Sequence, residues 1–159
     1  MKALHSSLRL FLFTLLLTSC GRAQSAGSKS EDTWTSDYTA ALKRAQETGR
    51  YVLVDFTGSD WCGWCIRLVN EVFSKSEFNE FSAENLINVE IDFPRQKELS
   101  KDAQKKNEEL AQKYNIRGFP TIVILSPEGE LVQRTGYRRG GVEAYVKHLQ
   151  EIITTHRNQ

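Results

Sequence analysis

Cysteine is scarce in this 159-residue chain: there are three, at positions 20, 62 and 65. A disulfide framework would use a larger, spread-out set. Histidine is equally rare, with His5, His148 and His156. A zinc centre on Cys62 and Cys65 would have to draw its remaining ligands from these three, and a copper carrier would need one of them as a distant ligand. Ile66, not His, follows Cys65, so the haem-attachment pattern is missing. No apolar run reaches the roughly 18–20 residues of a membrane-spanning helix. Neither charge sign dominates, with 21 basic and 20 acidic residues, so the basic excess of a nucleic-acid binder is absent and no nucleic-acid partner is expected. There is no internal repeat.

What is present begins with an address. Lys2, His5 and Arg9 precede Leu10–Leu17, an apolar run interrupted only by Thr14, and the small residues Thr18, Ser19, Cys20 and Gly21 follow. A charged start, a short apolar segment and a small-residue cleavage region read as an export signal over residues 1–19. Leu17-Thr18-Ser19-Cys20 resembles a bacterial lipobox, which implies cleavage before Cys20 and a lipid anchor on its sulfur. The alternative is an ordinary secretory signal cut near Ala23, leaving a soluble periplasmic protein. Lipidation would anchor the chain rather than pass it through a bilayer, and Gly21 after the Cys resembles lipoproteins sent to the outer membrane. Residues 21–30 are small and polar without periodicity, as in a flexible tether. A single folded domain is expected over 31–157.

Within that domain, Ser36 or Asp37 can cap a helix over Tyr38–Thr48, with Ala41, Leu42 and Ala45 on one face and Gly49 as its stop. Tyr51–Phe56 is short, apolar and rich in β-branched residues, as in a buried strand. A helix is expected from about Cys62, carrying Ile66, Val69 and Phe73 inward. Leu86–Ile91 reads as a second strand, and Lys97–Tyr114 as a charged helix with Leu110 inside. Thr121–Leu125 and Glu130–Thr135 read as strands joined through Pro127-Glu128-Gly129 in a hairpin. A last helix runs from Val142 to about Thr155, with Val142, Tyr145, Val146, Leu149 and Ile152 or Ile153 inward. The alternation predicts an α/β domain: a central mixed sheet covered by helices on both faces, parallel in its central portion and with an antiparallel edge from the hairpin.

Cys62 and Cys65 follow a strand and a turn, and open a helix. Unpaired first-turn amides and the helix dipole favour a thiolate there, and thiolate is the nucleophile of disulfide exchange. The i, i+3 spacing sets both sulfurs on one helical face. Cys62, at the tip, is expected to be the exposed attacking sulfur, and Cys65 the more buried resolving one. A purely structural disulfide would restrict little chain entropy across so short a loop. Trp64 is expected at the surface, where an amphipathic ring suits recognition of extended polypeptide. For Trp61, exposure and packing against the domain are both open.

Val54-Asp55-Phe56, Trp61-Cys62-Gly63-Trp64-Cys65, Tyr114-Asn115-Ile116-Arg117-Gly118-Phe119-Pro120 and a closing strand ending at Gly136 together resemble the thioredoxin family over about residues 32–155. Phe56–Trp61, Asp92-Phe93-Pro94 and Gly140-Gly141 resemble its periplasmic disulfide-reductase branch. The resemblance implies the thioredoxin fold, a redox disulfide between Cys62 and Cys65, and no cofactor or metal. It implies a cis-proline at Pro120 beside the cysteines, pairing of the Phe119 backbone with substrate, and room for substrate at Gly136, with Tyr137 extending the groove. It implies a buried carboxylate, matched by Asp55, as proton acceptor for the resolving thiol. One extra residue before Trp61 leaves Phe56 as a rival for that place. Asn88 falls where the family has a nearby lysine. About a dozen additional residues between Asp92 and Tyr114 lengthen the third helix or the loop before it.

The expected activity is that of an exported protein-disulfide reductase, acting as a monomer on periplasmic disulfides and re-reduced by a membrane electron donor. The Gly-Trp dipeptide carries no His to stabilise a strongly oxidising thiolate. A cytochrome c maturation reductase, a disulfide isomerase or oxidant, and a peptide-binding module without redox turnover are the alternatives. Arg134, Arg138 and Arg139 cluster near Gly136, as a solvated edge or as a docking patch for an acidic partner.

Overall fold

A computed structural model describes residues 34–159. The export signal, the Cys20 anchor and the 21–30 tether fall outside the described residues. The first helix, α1 (Tyr38–Thr48), is capped by the Asp37 side chain, which accepts from the Ala40 amide, and it ends at Gly49 in the left-handed conformation (φ 69°). Strand β1 (Tyr51–Thr57) follows and is buried along its whole length. Helix α2 (Gly63–Leu68) continues into a π-helical turn over Val69–Phe73. Then come α3 (Ser76–Asn85), β2 (Leu86–Asp92), α4 (Lys101–Lys113), β3 (Thr121–Leu125), β4 (Leu131–Thr135) and α5 (Gly141–Arg157).

The four strands form one mixed sheet in the order β2-β1-β3-β4. The parallel part is narrower than the alternation predicted: β1 and β2 are parallel, but β3 runs antiparallel to β1, with Thr121 opposite Phe56. The reason is where the connection ends. The segment leaving β2 at Asp92 returns, after α4, to the same end of the sheet, so the next strand must run the other way. The β3–β4 hairpin is antiparallel as expected. Ser126 ties its turn together, with its Oγ accepting the Glu128 amide.

Alternate residues of β1 face different cores. Tyr51 and Leu53 join Ile122 and Ile124 under the π-helical turn, α3 and α5. Val52, Val54 and Phe56 join Val123 and Leu125 on the side of α1, with Tyr114 and the half-buried Leu110 of α4 closing that layer. Helices on both faces follow from this two-sided burial.

Two expectations are corrected, and one helix is added. Ile66 and Val69 do not point inward: both are exposed, while Leu68, Val72 and Phe73 fill the core. Pairing with Cys65, itself buried, rotates the inner stripe by one residue. Helix α4 starts at Lys101, under a Ser100 cap, because residues 95–97 are held in a loop by Asp60. Helix α3 was not anticipated. Its segment is polar, and the signal lay only in Phe78, Phe81 and Ser82, which are buried at i, i+3, i+4 spacing.

Phe78 stacks on Trp34 (centroids 6.4 Å apart) and lies 4.8 Å from Phe73. It is completely buried. Phe78→Ala should therefore cost about 3–5 kcal/mol, read as a lowered urea midpoint at unchanged m-value. A loss below about 1 kcal/mol would mean α3 does not seal this core.

Candidate active site

Strand β1 delivers the chain to one end of the sheet at Thr57, where Gly58–Asp60 turn it into α2. Cys62 is the N-cap of that helix. Its sulfur accepts the Cys65 amide at 3.2 Å, and the two cysteines form a disulfide with Cα atoms 5.2 Å apart. Cys62 is 7% exposed and Cys65 2%. The order is as expected, but Cys62 is less open than a helix tip alone would make it, because its sulfur turns inward to Cys65.

Trp61 is half-buried and packed. Its Nε1 donates to the Phe93 carbonyl (2.8 Å), its ring meets Phe119 edge-on at 5.9 Å, and Phe93 stacks on Phe119 at 5.1 Å. The ring covers Gly58 so closely that a Cβ there would lie 2.5 Å from the indole. Trp64 is 51% exposed and lies 5.1 Å from Tyr137. The Tyr137 hydroxyl donates to Glu71 (2.7 Å), and Glu71 also accepts from Arg67 Nε (2.7 Å). The Arg67 guanidinium stands 5.6 Å over both rings. Glu71 is held below the usual carboxylate range by the Arg67 and Tyr137 hydrogen bonds. Two aromatic walls thus come from elements either side of Cys62.

The Phe119–Pro120 peptide is cis, at the start of β3 and so at the same end of the sheet as Cys62. Gly136 follows β4 directly and lies beside this proline. A Cβ on Gly136 would stand 3.0 Å from the Pro120 carbonyl oxygen, so any larger residue would press on the cis-proline.

Asp55 shares the face of Tyr51 and Leu53, the one beneath α2 and α5, whereas Phe56 packs into the opposite core. Asp55 is 2% exposed, and its Oδ1 has no hydrogen-bond partner among the described residues. Burial first, then Glu90 and Asp92, push its pKa up to about 8. Asn88, also buried, donates to Ser82 Oγ at 2.6 Å.

Several residues that shape this end had no role assigned to them from the sequence. Asp92 accepts from the Ser59 amide and hydroxyl (2.8 and 2.7 Å). Asp60 accepts from the amides of Arg95, Gln96 and Lys97, which holds its carboxyl below its ordinary range. These reciprocal contacts clasp the loop before Cys62 to the loop after β2. Asp60 and Asp92 sit next to turn residues, and in a linear reading that context is indistinguishable from ordinary turn capping. Arg134 does not join Arg138 and Arg139: it donates to the Tyr114 carbonyl (3.1 Å). His148 and His156 bond to Thr135 and Tyr51, and no set of three metal-ligating side chains occurs among the described residues.

The family model for a thioredoxin-like domain matches residues 38–151. The chain belongs to the thioredoxin-like family. It is 36% identical over 120 residues to the disulfide bond reductase DsbH of Chlamydia pneumoniae, covering 76% of this chain and 72% of that protein. It is 30% identical over 114 residues to an H-type thioredoxin of Oryza sativa, covering 71% and 80% respectively. The solved structure of a DsbH oxidoreductase superposes with a TM-score of 0.72 at 35% identity, covering 77% of this chain and 84% of that one. The mixed sheet with helices on both faces is the thioredoxin fold, and the chain is a thiol-disulfide oxidoreductase.

The raised Asp55 pKa fixes the sign of a pH effect. The unfolded carboxyl ionises near 3.8 and the folded one near 8, so between these values the unfolded chain releases a proton that the native chain keeps. Asp55's contribution to stability therefore falls from about pH 4 to about pH 8 and is flat above. Asp55→Asn should remove this fall. Its stabilising effect should grow by several kcal/mol across that window, measured by denaturation of the oxidised protein. A variant advantage independent of pH would exclude a protonated Asp55.

Proposed function

We propose that this chain is an exported protein-disulfide reductase of the bacterial cell envelope, held at a membrane through Cys20. The observation that carries the redox reading is Cys62 at the N-cap of α2, its sulfur taking the Cys65 amide at the sheet end where Pro120 lies. Similarity to a disulfide bond reductase supports the direction. The Gly63-Trp64 dipeptide, without a histidine, agrees with it.

In the reduced enzyme, the Cys62 thiolate is stabilised by first-turn amides and the helix dipole. It attacks one sulfur of a substrate disulfide. A mixed disulfide forms, and the other substrate sulfur leaves as a thiolate that takes up a proton. Asp55, when ionised, accepts the Cys65 proton from the side of the sheet beneath α2, and its raised pKa makes it the stronger base. The Cys65 thiolate then attacks Cys62 Sγ, releases the second substrate thiolate and closes the Cys62–Cys65 disulfide. Two electrons have passed to substrate. A membrane dithiol donor returns them by the same exchange in reverse. The Phe119 backbone and Pro120 hold the extended substrate segment, Trp61 and Trp64–Tyr137 flank it, and Gly136 leaves it room.

Cys62→Ser should reduce insulin disulfide reduction to background. Cys65→Ser should instead accumulate the mixed disulfide, visible on non-reducing gels. Equilibration with glutathione should give a potential near the thioredoxin value of about −270 mV; a value near −120 mV, that of a strong oxidant, would overturn the reductase direction. In the native host, Cys20→Ala should move the protein from the membrane pellet to the soluble periplasmic fraction. A wild-type protein already soluble there would remove the anchor.

A further inference from the structure

The cysteine end of the sheet is built from four loops, and its cations and anions are arranged differently. Thr57, Asp92, Thr121 and Thr135 all terminate strands here, so residues 58–62, 93–97, 117–120 and 136–140 converge. They contribute Arg95, Lys97, Arg117, Arg138 and Arg139. Asp55 is buried and Glu90 half-buried at this end, and three further carboxylates beside the cysteines are already engaged. Asp60 takes three backbone amides, Asp92 takes Ser59, and Glu71 takes Arg67 and Tyr137. Glu98 and Glu143 are the outlying exposed carboxylates.

Arg95 is the cation best prepared for a ligand. Its guanidinium lies 3.7 Å from the centroid of Trp61, the residue immediately before Cys62. Its own backbone amide is pinned to Asp60 (2.9 Å). The side chain is thus held from both ends, and less freedom is lost when it binds. A guanidinium over a ring keeps its in-plane N–H donors for a planar, bidentate acceptor. Among the described residues Arg95 forms no ion pair, whereas Arg67, over the opposite wall, is paired with Glu71. Arg138 and Arg139, exposed next to Tyr137, extend the same sign of charge along that wall.

We infer that the substrates are extended segments of oxidised polypeptide carrying an Asp or Glu within a few residues of the cystine, and that Arg95 is the specificity-determining residue that receives this carboxylate. Arg138 and Arg139 raise the local concentration of such segments. This inference rests on the disulfide-reductase reading and narrows its substrate class. Arg95 does not take part in the sulfur exchange. It sets which disulfides reach Cys62.

Three cyclic peptides of one length test this, with their disulfide flanked by Glu, by Gln or by Lys. Each is reduced by the pre-reduced protein under single-turnover conditions. Each rate is divided by the rate with dithiothreitol, which removes the effect of the flanking charge on the disulfide itself. The Glu peptide should react about tenfold faster than the Gln peptide, and the Lys peptide slower still, with the spread shrinking at high salt. Arg95→Gln should bring the Glu peptide down to the Gln rate, Arg95→Lys should give an intermediate value, and Arg95→Glu should invert the order. Arg44→Glu, an equal charge change on exposed α1, should leave the order intact. General damage to the site would slow all three peptides alike, so their ratio remains the readout. A Glu-to-Gln ratio of one in the wild-type protein, or a ratio unmoved by Arg95→Glu, would overturn the inference. Failure of the reduced wild-type protein to react with any of the three would instead overturn the reductase reading beneath it.

Discussion

The antiparallel pairing of β3 with β1 is the constraint on which the active end depends. Because Thr121 lies opposite Phe56, the chain must enter β3 where it has just left β1. The residues before Thr121, with the cis-proline among them, are thereby brought to the helix that opens with Cys62. The parallel β1–β2 pair adds Asp92 at the same level, and the β3–β4 hairpin adds Gly136. No loop has to be long or unusual for these segments to meet. The hydrogen-bond ladder at the centre of the sheet, buried on both faces, does the positioning.

The clasp between the two loops is a second layer of this order. Aspartates in adjoining segments each satisfy the other segment's donors, and the aromatic stack Trp61–Phe119–Phe93 closes over them. Charged acceptors make stronger hydrogen bonds than neutral ones, and here the carboxylates spend that strength on backbone amides. The cost of holding loop residues 93–97 out of helix is offset locally, and α4 begins only where Ser100 can cap it.

Much of this was legible in the sequence because its signals are local. Gly49 and Asp37 mark the ends of α1, β-branched runs mark β1 and β3, and Cys62 with Cys65 announces its chemistry through spacing and its place at the start of a helix that follows a strand and a turn. The direction of β3 was not legible: alternating strands and helices carry no record of which end a connection returns to. The facing of Ile66 and Val69 was misread because helical periodicity gives a stripe and not its phase, and the buried cysteine set the phase. The Asp55 and Phe56 ambiguity had the same character. A count of residues to Trp61 carries no facing, whereas strand parity sets Asp55 beneath α2 and Phe56 in the opposite core. Asp60, Asp92 and Arg95 were hidden because their partners lie more than thirty residues away along the chain.

At the other boundary of the domain, Thr35 forms a parallel bridge to Val89, exchanging hydrogen bonds with Asn88 and Glu90. The chain therefore travels alongside β2 toward the cysteine end as it enters the fold. A single backbone bridge at the sheet's edge thus gives the chain the direction of β2 at Thr35. Because β1 is also parallel to β2, α1 has to carry the chain back along the sheet before β1 can begin.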